Sequence, residues 1–137
     1  MQLITHLNFN GNCEAACNFY AEVLGGKIAF KMTQGESPLG DQVPAEMKDK
    51  IMHATLEVPD GGVLMGGDHP HGKKVLPTGF CVSVQVKDAA EAERIFKRLS
   101  EGGQVRMEFQ KTFWSPGFGM CIDKFEIPWM VNCVPAE

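Results

Sequence analysis

Apolar and polar side chains alternate with a period of two along much of the chain, and twice the period changes to about 3.6. Leu3, Thr5, Leu7 and Phe9 fall on one face of a first strand, and Ile4, His6 and Asn8 on the other. From about Asn12 to Leu24 the spacing becomes helical: Ala16, Phe19, Tyr20, Val23 and Leu24 share one stripe. Asn12 is placed to cap the free amides of the first turn, and Gly25-Gly26 permits a left-handed stop. Alternation resumes at Lys27–Met32 and again over about Ile51–Val58 and about Gly62–Gly67, joined by Pro59-Asp60-Gly61. In the Ile51–Val58 segment, His53, Thr55 and Glu57 oppose Met52, Ala54, Leu56 and Val58.

The second half repeats this order. Cys81, Ser83 and Gln85 oppose Val82, Val84 and Val86; a helix follows from about Asp88 to Glu101, with Asp88 and Glu91 spaced as a capping box and Ala92, Ile95, Phe96 and Leu99 as its buried stripe. Strands follow at Gln104–Phe109, about Phe118–Asp123 and about Pro128–Val134. The two helix openings are 76 residues apart (88 − 12) and the two Gly-Gly stops 77 apart (102 − 25). The segment Gly35–Lys50 lacks a counterpart and reads as an inserted loop able to cover a groove. The expected fold is α+β: tandem βαβββ modules forming curved antiparallel or mixed sheets with helices on the convex side. The expected organisation is one domain over 1–137, with module one about 1–67, a linker about 68–77 and module two about 78–137. Leu7, Phe9, Phe19, Val23, Val84, Phe96 and Leu99 should be buried, and the face opposite each helix should look into a groove that serves function.

Composition narrows the partners. The net charge is −4 and only Lys73-Lys74 are adjacent basic residues, which argues against nucleic acid. No stretch approaches the roughly 18 apolar residues of a membrane span. The N-terminus has no basic region followed by an apolar run, so export is not expected and a cytoplasmic place is. The odd number of cysteines, five, with several in apolar strands, suggests reduced, largely buried thiols.

Particular segments resemble a known family. Leu7-Asn8-Phe9-Asn10-Gly11-Asn12, Phe19-Tyr20, Leu24-Gly25-Gly26, Thr112-Phe113-Trp114, Gly117-Phe118-Gly119 and Ile127-Pro128-Trp129-Met130-Val131-Asn132 are similar to the PhnB-like branch of the vicinal oxygen chelate superfamily. That superfamily includes glyoxalase I, bleomycin resistance proteins and extradiol dioxygenases, and some PhnB-like members carry the label 3-demethylubiquinone 3-methyltransferase. In metal-dependent relatives, four inward side chains from the first and last strands of the two modules hold a divalent ion. The resemblance puts Ile4, Met65, Cys81 and Met130 at those positions, with Ile4 related to Cys81 (81 − 4 = 77) and Met65 to Met130 (130 − 65 = 65). None is His or a carboxylate, so no metal and no cofactor is expected. A slip of one residue would bring in Thr5 or His6. Cys81, Met65 and Met130 suit either a Cu(I) ion or an apolar cavity floor. Methyl transfer finds no glycine-rich loop of the dinucleotide-binding kind.

Other candidate groups are weaker. Cys13 and Cys17 are four apart on the first helix without a ligand cluster, and Asp68-His69-Pro70-His71 places two histidines in the linker. His53 suits acid–base work near neutral pH or a subunit contact. Arg106, Glu108 and Gln110 oppose Val105, Met107 and Phe109, and Arg106 suits an anion or a solvated edge. Trp114 and Phe118 flank Ser115-Pro116-Gly117 and suit either a flat ligand or packing. The expected ligand face is His6, Asn8, His53, Met65, Cys81, Ser83, Arg106, Trp114, Met130 and Asn132. The expected function is metal-free binding of a small organic ligand by a homodimer. The alternatives are an enzyme of the same superfamily using His6 or His53, or a metal-dependent lyase or dioxygenase with ligands elsewhere.

Overall fold

Among the described residues, two twelve-residue helices and eight strands form in the positions that the changes of period mark out. The structure is a computed structural model, and it describes residues 1–69, 74 and 76–135. The chain divides into two units, Met1–Val75 and Leu76–Glu137. In the first, β1 (Thr5–Phe9) leads to α1 (Cys13–Leu24), β2 (Lys27–Thr33), β3 (Ile51–Glu57) and β4 (Val63–Asp68). In the second, β5 (Val82–Val86) leads to α2 (Ala89–Ser100), β6 (Gln104–Gln110), β7 (Phe118–Ile122) and β8 (Pro128–Cys133). The sheet orders are β1-β4-β3-β2 and β5-β8-β7-β6. In each sheet the first and last strands of the unit pair in parallel and the other pairs are antiparallel. The repeat in sequence is thus a repeat in topology, and the α+β fold is the expected one.

Each helix packs on one face of its own sheet. Leu7, Phe9, Ala54 and Leu56 pack there with Ala16, Phe19, Tyr20 and Val23 of α1. Cys121, Trp129, Val131 and Cys133 do the same with Ala92, Ile95, Phe96 and Leu99 of α2. Six of the seven positions expected to be buried are so; Val84 is only half-buried. The repeated Gly-Gly has a steric cause. Gly25 and Gly102 take positive φ of 68° and 73° to end their helices. A Cβ on Gly26 would lie 2.3 Å from the Glu57 carbonyl oxygen, and one on Gly103 2.1 Å from that of Ile122.

The helix starts differ. Asp88 caps α2 as expected, accepting from the Glu91 amide at 3.1 Å. Asn12 makes no side-chain cap. Asp68 at the end of β4 takes that role: its Oδ1 accepts from the amides of Gly11 (3.0 Å) and Cys13 (2.9 Å), and its Oδ2 from Ile51 (2.8 Å). A carboxylate is the stronger acceptor and suits a helix N-terminus. Asp123 is the corresponding pin of the second unit. Oδ1 accepts from Phe125 and Ile127, and Oδ2 from the Trp129 indole at 2.8 Å. Both carboxylates are buried. Among the described residues no helix is long and apolar enough to cross a membrane. Pro70 and His71 lie outside the described residues; the His69 amide donates to the Phe9 carbonyl at 2.7 Å.

Candidate functional site

The faces turned away from the helices carry the chemistry. Strand register decides which side chains meet, because directly paired residues share a face. In the first unit His6 pairs with Met65, Met65 with Thr55, Thr55 with Phe30, and His53 with Met32. The His6 and His53 rings stack with centroids 6.0 Å apart, and Phe30 lies 6.0 Å from His53. His53 Nε2 is 3.2 Å from the Thr55 hydroxyl. Two imidazoles thus stand among a phenyl ring and two thioethers. Partial removal from water, and then the neighbouring His53, lower the His6 pKa below the ordinary value of 6.5, so His6 is neutral at pH 7 and able to accept a proton. Asn8 lies on the same face, opposite Gly67, and is exposed.

In the second unit Ser83 pairs with Met130, Met130 with Met120, Gln85 with Asn132 and Asn132 with Phe118. A line of hydrogen bonds runs across this face. Asn132 Nδ2 donates to Gln85 Oε1 at 2.8 Å, and Gln85 Nε2 donates to Ser83 Oγ at 2.6 Å. The other end of the Asn132 amide, Oδ1, is buried and has no partner; it is the one buried side-chain polar atom in that state among the described residues. Trp114 stands edge-on to Phe118 with centroids 5.3 Å apart and is 44% exposed. Its loop is tied down by hydrogen bonds at Thr112 and Ser115. The Thr112 hydroxyl accepts from the Ser115 amide, and the buried Ser115 hydroxyl reaches the Gly117 and Cys133 carbonyls at 2.8 and 2.7 Å.

Of the residues expected on a ligand face, the structure brings together His6, His53 and Met65 in one unit, and Ser83, Met130, Asn132 and (through Phe118) Trp114 in the other. Cys81 is half-buried just before β5. Arg106 departs from the expected pattern. Register shifts between Val105 and Met107, and between Met107 and Gln110, break the alternation of β6. Met107, not Arg106, pairs with Met120, and Arg106 is exposed at a bulge on an edge strand. A similar shift between Met32 and Thr33 accompanies Met52, expected on the helix side but 40% exposed. The strand pattern missed Met32, Met107, Met120 and the part played by Gln85; the even phase of Met120 with Phe118 was the available signal. A cavity of about 290 Å³ lies elsewhere in the first unit, lined by the inserted loop and Met52. It carries no titratable side chain.

Ile4, Met65, Cys81 and Met130, which the resemblance puts at the superfamily's metal positions, do not fit a divalent cation. Ile4 offers no donor and Met65 and Met130 offer only thioethers; hard divalent ions take oxygen, and Zn²⁺, which accepts thiolate, would find Cys81 alone. Among the described residues no three His, Cys, Asp or Glu side chains gather as a metal site would need. The other thiols serve packing. Cys13 and Cys17 are buried with sulfurs 4.0 Å apart, and burial, then the Asp123 charge, push the Cys121 thiol up to about 11.

Comparison with known proteins agrees with this architecture. The protein YjdN of Escherichia coli (strain K12) is 34% identical over 145 residues, spanning 100% of this chain and 98% of that protein. The crystal structure of protein PA1353 from Pseudomonas aeruginosa superposes with a TM-score of 0.88 at 44% identity, covering 98% of each chain. A PhnB protein from Bacillus cereus, labelled a 3-demethylubiquinone-9 3-methyltransferase, shares the fold with a TM-score of 0.79 at 22% identity, over 98% of this chain and 100% of that one. The profile of the Glyoxalase/Bleomycin resistance protein/Dioxygenase superfamily matches residues 3–131, and the chain belongs to that superfamily.

Proposed function

We propose that the protein binds a small organic molecule on the open faces of its sheets and does so without a divalent metal. The observation that carries this is Asn132 Oδ1. A buried acceptor left without a donor costs about 1–3 kcal/mol, and a ligand that supplies the donor recovers it. The surroundings suit such a ligand: Phe118, Trp114, Met120 and Met130 give apolar contact and the amide fixes orientation. Homodimerisation is part of the same proposal, with exposed apolar side chains such as Phe113 as candidate contacts. The test is native mass spectrometry of protein purified with and without a chelator. A co-purified organic mass that survives chelation supports the proposal; binding that disappears with metal removal contradicts it.

A second reading is an enzyme of the same superfamily. Its support is His6, neutral at pH 7 and stacked on a second imidazole that a hydroxyl orients. Turnover of a substrate panel that is lost in His6→Ala but retained in Asn132→Ala would favour it.

A further inference from the structure

The Asn132 amide is the last member of a line whose polarity is not fixed by the protein. In the observed arrangement Asn132 Nδ2 donates to Gln85 and Gln85 Nε2 donates to the Ser83 hydroxyl, so Oδ1 is the end left over. Nδ2 is engaged on β5, and on its other side Asn132 is paired with Phe118 of β7. A primary amide has an acceptor at one end and a donor at the other, and a hydroxyl serves as either. If both amides turn over together, Ser83 donates to Gln85 Oε1, Gln85 Nε2 donates to Asn132 Oδ1, and Asn132 Nδ2 becomes the end left over. The number of hydrogen bonds in the line is unchanged. Ser83 and Gln85 are exposed, so water serves either polarity at the outer end.

We propose that Ser83, Gln85 and Asn132 form a reversible amide relay that lets one site take a flat ligand presenting either a hydrogen-bond donor or an acceptor. This rests on the open-face binding described above and names the ligand class: a planar, largely apolar molecule with one polar edge, stacked near Trp114 and Phe118. Trp114, half-exposed at the rim, is the side chain that moves aside to admit it. Gln85, the exposed middle member of the line, is the residue that sets the preference.

The test uses variants at that exposed position, where folding is not at risk. Gln85→Glu accepts only, so Asn132 Nδ2 must face it and Oδ1 must face the ligand. Gln85→Lys donates only, so Asn132 Oδ1 must face it and Nδ2 must face the ligand. The probes are indole, a donor, and quinoline, an acceptor of similar size, with affinity read by NMR titration. Wild type should bind both. Gln85→Glu should favour indole and Gln85→Lys quinoline, the preference ratios of the two variants differing by roughly ten-fold or more, as expected for one hydrogen bond to a buried group. Without any probe, the Asn132 side-chain amide protons should move downfield in Gln85→Glu and upfield in Gln85→Lys. Unchanged amide resonances in both variants, or parallel affinity changes for both probes, would overturn the relay while leaving the face as a binding site. Binding of neither probe to any form would overturn the relay and the open-face proposal together.

Discussion

Replacing Asp68 should damage the first unit more than any surface charge would. The carboxylate accepts three backbone donors, of which the amides of Cys13 and Ile51 are buried and that of Gly11 is partly so. In Asp68→Ala the Gly11 amide finds water. The other two lose charge-assisted bonds worth about 1.5–3 kcal/mol each, so the loss is about 3–6 kcal/mol. Set against total stabilities of about 5–15 kcal/mol, that is a large share. Asp68→Asn keeps one oxygen for Gly11 and Cys13 but turns an NH₂ toward the Ile51 amide, so about 2–3 kcal/mol should be lost. Ile51 opens β3, two residues before His53, so the loss reaches the candidate site. Urea denaturation followed by circular dichroism measures both losses, with equal m-values showing that the unfolded state is unchanged. An alanine variant within about 1 kcal/mol of wild type, below the cost of even one buried charge-assisted bond, would refute the assignment of Asp68 as the pin between α1, β3 and β4.

Other outcomes follow from the same geometry. The His6 titration midpoint should lie below 6.5 and rise in His53→Ala, since His53 is one of the two causes that lower it. Because the folded pKa is the lower one, this histidine favours folding above about pH 6.5, and that contribution fades as pH falls through the folded value. Thermal melts between pH 7 and 5 should show stability falling with pH, less so in His6→Ala, and NMR of the imidazole protons gives the midpoints. Under native conditions Cys81 should react first with a thiol reagent, because Cys13, Cys17, Cys121 and Cys133 are buried, with Cys121 held near 11; four fast thiols would contradict this. Gly119→Ala should cost about 1–3 kcal/mol by overpacking, since its Cβ would meet the Phe96 ring at 2.6 Å. Sedimentation at tens of micromolar should show a dimer, and a monomer there would count against self-association.

Much of the fold was legible because it rests on periodicity. Leu7 and Phe9, or Trp129 and Val131, are buried for the same reason that they alternate, and the doubled Gly-Gly marks two helix ends that meet a strand backbone. What local pattern concealed was set by partners distant in sequence. Asn12 looked like a cap and was displaced by Asp68, 56 positions on (68 − 12). Alternation assigned Arg106 to the ligand face, and two bulges in β6 gave that place to Met107. A bulge changes which face a residue takes, and nothing in Gln104–Gln110 announces it. Parity put Ser83 and Asn132 on one sheet face, where they stand, yet the link between them runs through Gln85, and only the pairing of β5 with β8 makes it visible.

The most direct test of metal-free ligand binding on the open sheet faces is a methyl NMR screen of small aromatic molecules, with chelator present and the eight methionines labelled. Met65 marks the open face of the first sheet, Met107, Met120 and Met130 mark that of the second, and Met47 and Met52 line the separate cavity beside the inserted loop. Binding should shift the methyls of Met120 and Met130, on the sheet face that carries Asn132, and leave Met47 and Met52 in place, with Met65 reporting separately on the first sheet. Shifts confined to Met47 and Met52, or shifts that appear only when a divalent metal is restored, would contradict it.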